Sequence, residues 1–194
     1  MLAACDLLDD EGAAGFSMAK VGQRLGVTGM ALYRHVTDRD DLEAAIVDHV
    51  LADLVTDQGD DGEWRDAVAA WMHGVRAHWL RHPWIGQFIG GGHVLSPSWL
   101  NALGALGRAL ERGGLAPDAV ARELVRISRV VVGVSVLEAR APLPLLESFE
   151  PAFARLEPDQ RARWQAYAPE LARYANDELF ADLVAQAVAR IAAD

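Results

Sequence analysis

Between Ser17 and Thr37 the chain carries Lys20, Arg24 and Arg34 without a single aspartate or glutamate, and Arg39 follows shortly after. Acids crowd both flanks, with Asp9, Asp10 and Glu11 before the window and Asp38, Asp40 and Asp41 behind it. In a chain where 28 of 194 residues are acidic, so long an acid-free run suits one chemistry, the binding of phosphate on a nucleic-acid backbone. The plain alternative is a solvated face beside a tight helical corner. The formal net charge of -10 excludes a protein that coats nucleic acid indiscriminately, because the global field repels phosphate.

Other reactive groups point to less. His78 and His82 stand four residues apart on a helical pattern, a spacing that can chelate a metal. No acid lies near them in that helix, so no metal site is expected. A Ser-His-Asp spacing, a glycine-rich phosphate loop and a carboxylate–histidine helix pair are all missing, so neither catalytic residues nor cofactors are expected. Cys5 is the sole cysteine, which allows no intrachain disulfide and suits a reducing cytoplasm. The opening Met1 to Cys5 superficially resembles a lipoprotein box, but no basic or apolar stretch precedes it. The longest apolar run, Val130 to Leu137, is bracketed by Arg129 and Glu138. It is far shorter than the roughly 20 residues that span a bilayer. The expectation is a cytoplasmic chain.

The elements that position these groups are helices. Just over half of the chain, 52%, is apolar, enough for a sizeable core. Alternating strand patterns are absent, and Gly and Pro fall where helices start and stop. The fold class is all-α. A first helix runs from Leu2 to Glu11 and stops at Gly12. Ser17 caps a second that ends near Gly26, Thr28 a third that reaches Val36, and Asp38 a fourth that reaches Val55. The polar run Thr56 to Gly62 separates a unit of residues 1–55 from one of residues 56–194. A fifth helix covers Glu63 to His82. Ser96-Pro97 opens another that ends at Gly113-Gly114, and Pro117 opens a long one to Arg140. Residues 141–158 read as a loop with short helical pieces. A short helix spans Asp159 to Tyr167, and Asn176 caps the last.

Residues 18–37 have the makings of a helix-turn-helix. Gly22 lets two backbones approach, and Gly26 supplies a left-handed turn. Val21, Leu25, Val27 and Leu32 are apolar where such a corner faces inward. Thr28, Gly29, Met30, Tyr33 and Arg34 are left on the outer face of the third helix, which in this motif enters the major groove.

The run from Phe16 to Val50, FSMAKVGQRLGVTGMALYRHVTDRDDLEAAIVDHV, resembles the N-terminal domain of TetR-family regulators. The resemblance covers Leu7 to Leu51 and is carried by Leu25-Gly26-Val27, by Ala31-Leu32-Tyr33 with His35-Val36, and by Asp38 to Leu42. It implies a DNA-binding homodimer that senses a small ligand. Thr28, Gly29, Met30 and Arg34 match positions that touch bases or the adjacent backbone. Tyr33, His35 and Arg39 match phosphate contacts, as does Ser17 at the start of the second helix. Lys20 lies in the same acid-free surface. Ala19 departs from the family, which often has a basic residue there. The family's first helix is also joined part-way along, without a basic arm; either the true start lies upstream or phosphate binding is weaker.

Trp64 to Ile85 resembles the fifth helix of the subgroup containing the tetracycline repressor itself. That repressor uses a ligand-bound magnesium, and its site has no match here. Val120, Leu124, Ile127, Val131 and Val134 form one apolar stripe. Leu179, Leu183, Val184, Val188 and Ile191 form another, on the last helix. Together they suit a four-helix dimer interface, as the resemblance implies, or else the core of one protomer. Trp71, His78, Trp79, Phe88, His93, Trp99, Ser128 and Trp164 suit a pocket for an aromatic or apolar effector, each with plain core as its alternative. Double-stranded operator DNA, a small effector and a second copy of the chain are the expected partners, and no membrane is. The competing readings are a small helical enzyme and a helical interaction or metal-binding protein with a vestigial helix-turn-helix.

Overall fold

The computed structural model describes residues 1–54, 62–88, 96–141, 151–171 and 173–192. Every regular element among them is helical: α1 (Leu2–Gly15), α2 (Met18–Arg24), α3 (Gly29–Leu32), α4 (Arg39–Ala52), α5 (Trp64–Arg81), α6 (Ile85–Phe88), α7 (Pro97–Arg112), α8 (Pro117–Arg140), α9 (Pro158–Leu171) and α10 (Asn176–Ile191). The all-α expectation holds. Among the described residues no helix is long and apolar enough to cross a membrane.

The core forms around α5. Val68, Trp71, Met72, Val75 and Trp79 recur at helical spacing and are at most 1% exposed. This stripe meets Leu106 and Leu110 of α7, Ile127 and Val131 of α8, and Phe180 of α10. Trp71 buries its ring and still satisfies its indole, donating from Nε1 to the Ala102 carbonyl at 2.7 Å. Ahead of α5, Ala4, Leu7 and Leu8 of α1 pack with Leu42, Ile46, Val47 and Val50 of α4, and α4 lies along α7.

Helix ends follow local chemistry where a side chain can reach a free amide. Ser17 Oγ accepts from Lys20 N at 3.3 Å. Asp38 Oδ1 accepts from Asp41 N at 2.8 Å, and Ser96 Oγ from Trp99 N at 3.2 Å. Other expected boundaries move. Gly12 takes φ +68°, a kink rather than a stop, and one more turn carries α1 to Gly15. Thr28 holds the cap position of α3 without a side-chain bond, and α3 closes at Leu32. The last helix is preceded by Ala175, with Asn176 as its first residue rather than its cap. α9 runs to Leu171, past Tyr167, and α6 takes in the start of the glycine-rich run from Gly86 to Gly92, where the sequence pattern sets no helix.

Charge ties the helices together away from the corner. Arg76 of α5 donates from Nε to Glu138 Oε2 at 2.8 Å and from Nη2 to Glu138 Oε1 at 2.5 Å. The same Nη2 reaches Asp177 Oδ1 of α10 at 2.6 Å, and the guanidinium lies 4.8 Å from the Phe180 ring centroid. Glu123 of α8 is fully buried between Arg126 at 2.6 Å and Arg190 of α10 at 2.7 Å. Removing one member of such a pair leaves a buried charge uncompensated. Arg76 keeps its bond to Asp177, so Glu138→Ala should lower unfolding free energy by about 2 kcal/mol, the cost of losing a charge-assisted bond, read as a lower urea midpoint at unchanged slope. An unmoved midpoint would show that Arg76 finds water instead.

Candidate nucleic-acid interface

The helix-turn-helix corner is set by two glycines. A Cβ on Gly22 would sit 2.7 Å from the Gly29 amide nitrogen and 2.9 Å from the Val27 carbonyl oxygen, so only hydrogen fits between α2 and the start of α3. Gly26 takes φ +69° and turns the chain between them; L side chains are strained in that region. Gly29 is a third packing glycine: a Cβ there would lie 3.1 Å from Ala19 Cα. The family resemblance assigns Gly29 to the DNA-contacting positions and marks Ala19 as a departure. The close approach accounts for the small size of both residues.

Two inward expectations are corrected. Leu25 is 53% exposed and Val27 is 45% exposed, whereas Val21 is buried and Leu32 half-buried. Leu25 sits on the lip of an open groove of about 320 Å³ lined by Met1, Ala4, Val21, Leu32, Val36 and Leu42 among others.

The outer face of the corner matches expectation in exposure. Thr28, Met30, Tyr33, Arg34 and His35 all reach the surface, with Met30 at 77%. Beyond Leu32 the chain keeps a helical hydrogen-bonding pattern, with His35 N donating to the Leu32 carbonyl at 2.8 Å and Val36 N at 3.2 Å. This holds Tyr33 and Arg34 outward although α3 itself is one turn long.

The cations are not bare. Lys20 Nζ meets Glu11 Oε2 at 2.5 Å, and Arg24 Nη2 meets Asp10 Oδ2 at 2.5 Å. Arg39 Nε meets Glu43 Oε1 at 2.6 Å while its guanidinium lies 5.6 Å from the Phe16 ring centroid. Arg34 has no ion-pair partner among the described residues. The acids beside the window thus fold back onto its cations. Ser17 keeps its hydroxyl on α2's first turn, where it caps the helix.

Behind this corner lies the aromatic core. Trp71, Trp79 and Trp99 are buried together, with ring centroids 5.9 Å apart for Trp71–Trp99 and 5.5 Å for Trp79–Trp99. His78 lies 6.1 Å from Trp79 and 5.1 Å from His82, and Phe88 lies 5.8 Å from Trp84. His78 Nε2 and Trp79 Nε1 are buried without a hydrogen-bond partner among the described residues. Two of the expected pocket residues do not join this group. Trp164 is 40% exposed and stacks on Phe153 at 5.9 Å beside Tyr167. Ser128 donates its hydroxyl to the Val125 carbonyl of its own helix at 3.3 Å. His93 lies outside the described residues.

A model of the tetracyclin repressor-like C-terminal domain matches residues 57–190, well over half of the chain. The chain belongs to the tetracycline-repressor-like family. Its relatives include the HTH-type transcriptional repressor DrrR1 of Streptomyces coeruleorubidus, 31% identical over 135 residues, which are 69% of this chain and 50% of that protein. The chain thus spans about half the length of that relative. Among solved structures, a possible TetR family transcriptional regulator from Streptomyces coelicolor superposes with a TM-score of 0.82 at 23% identity, covering 99% of this chain and 96% of that one. The TetR family protein ActR of Streptomyces coelicolor, in complex with actinorhodin, superposes with a TM-score of 0.81 at 21% identity, covering 99% and 94%. At such identities these two structures establish the TetR fold across the chain.

In this TetR-family chain the expected dimer stripes divide by depth. Val120, Ile127, Val131, Val184 and Ile191 are buried within the protomer, while Leu124, Val134, Leu179, Leu183 and Val188 are half-buried. Val125, Val130 and Leu137 are exposed on α8.

Burial pushes His78 down to about 4 from an ordinary 6.5, with the neighbouring His82 and Arg81 adding to the effect. The folded state therefore holds His78 neutral while the unfolded chain protonates it as pH falls below about 6.5. Stability from this group is complete above that pH and declines down to about pH 4, by about 2 kcal/mol at pH 5. His78→Phe should flatten that part of the melting-temperature profile between pH 7 and 5. A variant with an unchanged slope would assign the acid sensitivity elsewhere.

Proposed function

We propose that the chain is a cytoplasmic, ligand-responsive transcriptional repressor with no catalytic activity, which binds a palindromic operator as a homodimer and is released by a small aromatic or apolar effector. Residues 1–55 act as the DNA-binding unit and residues 56–194 as the effector and dimer region. One observation carries the reading. The face formed by Thr28, Met30, Tyr33, Arg34 and His35 is open to solvent and free of acids, on a corner fixed by backbone contact at Gly22. Family membership and the repressor role of DrrR1 support it.

Thr28, Met30 and Arg34 face the bases. Arg34 suits guanine, and Met30 a thymine methyl. Tyr33, His35, Ser17, Lys20 and Arg39 meet phosphate, and Gly29 brings the backbone close. The dimer forms across α8 and α10 through the half-buried Leu124, Val134, Leu179, Leu183 and Val188, on a foundation of Val120, Ile127, Val131, Val184 and Ile191. Twofold symmetry then matches two half-sites one helical turn apart.

The effector region centres on Trp71, His78, Trp79, Phe88 and Trp99, with Ser128 and Trp164 as more remote members and His93 as a further candidate. The similarly folded ActR, solved in complex with actinorhodin, agrees with a small-molecule effector. An effector that displaces α5 and α6 shifts α4 and alters the separation of the two α3 helices. A coupling of about 1–3 kcal/mol changes operator affinity roughly 5–150-fold.

A gel shift with duplex DNA flanking its own gene tests the reading directly. Retardation is expected, with a complex mass of two chains per duplex in analytical ultracentrifugation. Arg39→Ala should weaken binding uniformly across sequences and reduce the dependence of log affinity on log salt by about 1. An unchanged salt slope would remove Arg39 from the phosphate contacts. Absence of any retarded species would overturn the operator reading.

A further inference from the structure

Two carboxylates on the N-terminal helices reach across to the rest of the molecule. Asp9 Oδ1, on α1, accepts from Trp84 Nε1 at 2.6 Å and lies 3.3 Å from His82 Nδ1. Trp84 is 2% exposed, so this indole has no access to bulk water as an alternative acceptor. Asp48 Oδ1, on α4, accepts from the backbone amide of Ser98 at 2.9 Å. Ser98 lies in the first turn of α7, where amides have no partner inside the helix and the dipole favours an anion. The Ser98 amide, with the Ser98 and Ser96 hydroxyls, holds the Asp48 carboxyl below the usual carboxylate range.

These grips are arranged as a pair. α1 and α4 share one core through Leu7, Leu8, Ile46, Val47 and Val50, so Asp9 and Asp48 belong to one body. α2 packs on α1, and α3 packs on α2 through the Gly22 contact, so the outward face moves with that body. One grip holds the corner between α5 and α6, and the other holds the start of α7. A single hydrogen bond leaves rotation about itself free, whereas two at separate points remove it. Apolar packing of α4 on α7 confines the crossing angle to a range, and the two directional bonds select within it.

We propose that Asp9 and Asp48 are positioning residues for DNA binding: by gripping the α5–α6 corner and the α7 start, they set the angle at which α3 is presented. Neither touches DNA, and neither lies in the acid-free window. This goes beyond the operator reading, whose contacts lie on the helix-turn-helix and the start of α4, and it makes helix one as much a link to the effector region as helix four. Movement of α6 relative to α7 pulls the two grips unequally and turns the N-terminal body, rather than displacing α4 alone.

The test is an intrachain distance measured by pulsed electron paramagnetic resonance. Met30→Cys and Leu100→Cys, both at exposed positions, carry nitroxides in a Cys5→Ser background. Doubly labelled chain is diluted into unlabelled protein, so the distance is read within one chain whatever the oligomeric state. The parent should give one narrow distribution. Asp9→Ala and Asp48→Ala should each broaden it, roughly doubling its width as one end comes loose. Asp9→Asn and Asp48→Asn should restore the narrow form, because the amide oxygen still accepts from an N–H. Trp84→Phe keeps the ring and removes the donor; it should match Asp9→Ala and stands in for it if that variant does not fold. The proposal is overturned if these variants keep the parent width, or if Asp10→Ala, which loses only the surface pair with Arg24, broadens it equally. A failed gel shift beside a distance that responds as expected would sink the operator reading and leave the grips standing.

Discussion

The backbone of α2 rests on the first turn of α3, and everything proposed for the outer face depends on that contact. With no side chain at Gly22 the two chains meet at a spacing that a methyl group would break. The approach fixes the crossing of the helices, and the crossing decides which side chains point away from the core. Tyr33 and Arg34 are exposed because the chain beyond Leu32 keeps helical hydrogen bonds, and those bonds begin from an α3 seated on Ala19 and Gly22. A sequence with the same cations and no small residue at position 22 would have the charge without the surface.

Behind the corner the molecule is organised by α5. Its buried stripe meets three helices at once, and its polar edge sends Arg76 to α8 and α10. Apolar packing and ionic ties therefore use the same helix. His78 and Trp79 sit on it with ring nitrogens that have no partner among the described residues, His82 ends it beside Asp9, and Trp84 follows as a donor to the same carboxylate. Within a few residues the chain links the aromatic core to the helix that supports the helix-turn-helix corner.

Local features of this arrangement are legible in the sequence. Gly22 and Gly26, the Ser17, Asp38 and Ser96 caps, and the apolar spacing along α5 each follow from residues within a turn or two of one another, where helical geometry dictates who meets whom. Features that join distant positions are not legible. Nothing in the order of residues says that Asp10 closes on Arg24, that Glu123 is buried between two arginines, or that Asp9 reaches Trp84. The depth of an apolar residue is equally a tertiary matter. Leu25 and Val27 carry the right pattern for the inside of the corner and stand half open, because exposure depends on what lies over them. The stripe on α8 likewise contains both deep and shallow members, and Trp164 belongs to a separate aromatic group that composition alone cannot distinguish.

The pairing of Lys20, Arg24 and Arg39 with Glu11, Asp10 and Glu43 has a consequence for how such a protein would travel through a genome. Arbitrary duplex attracts proteins through phosphate charge alone, and a protein whose cations lie beside carboxylates gains less from that attraction than one whose cations are bare. Residence on random sequence is then brief, and the search for a cognate site is less delayed by the great excess of wrong ones. Weak general adhesion is in this light a form of selectivity, supplied by anions that never touch a base.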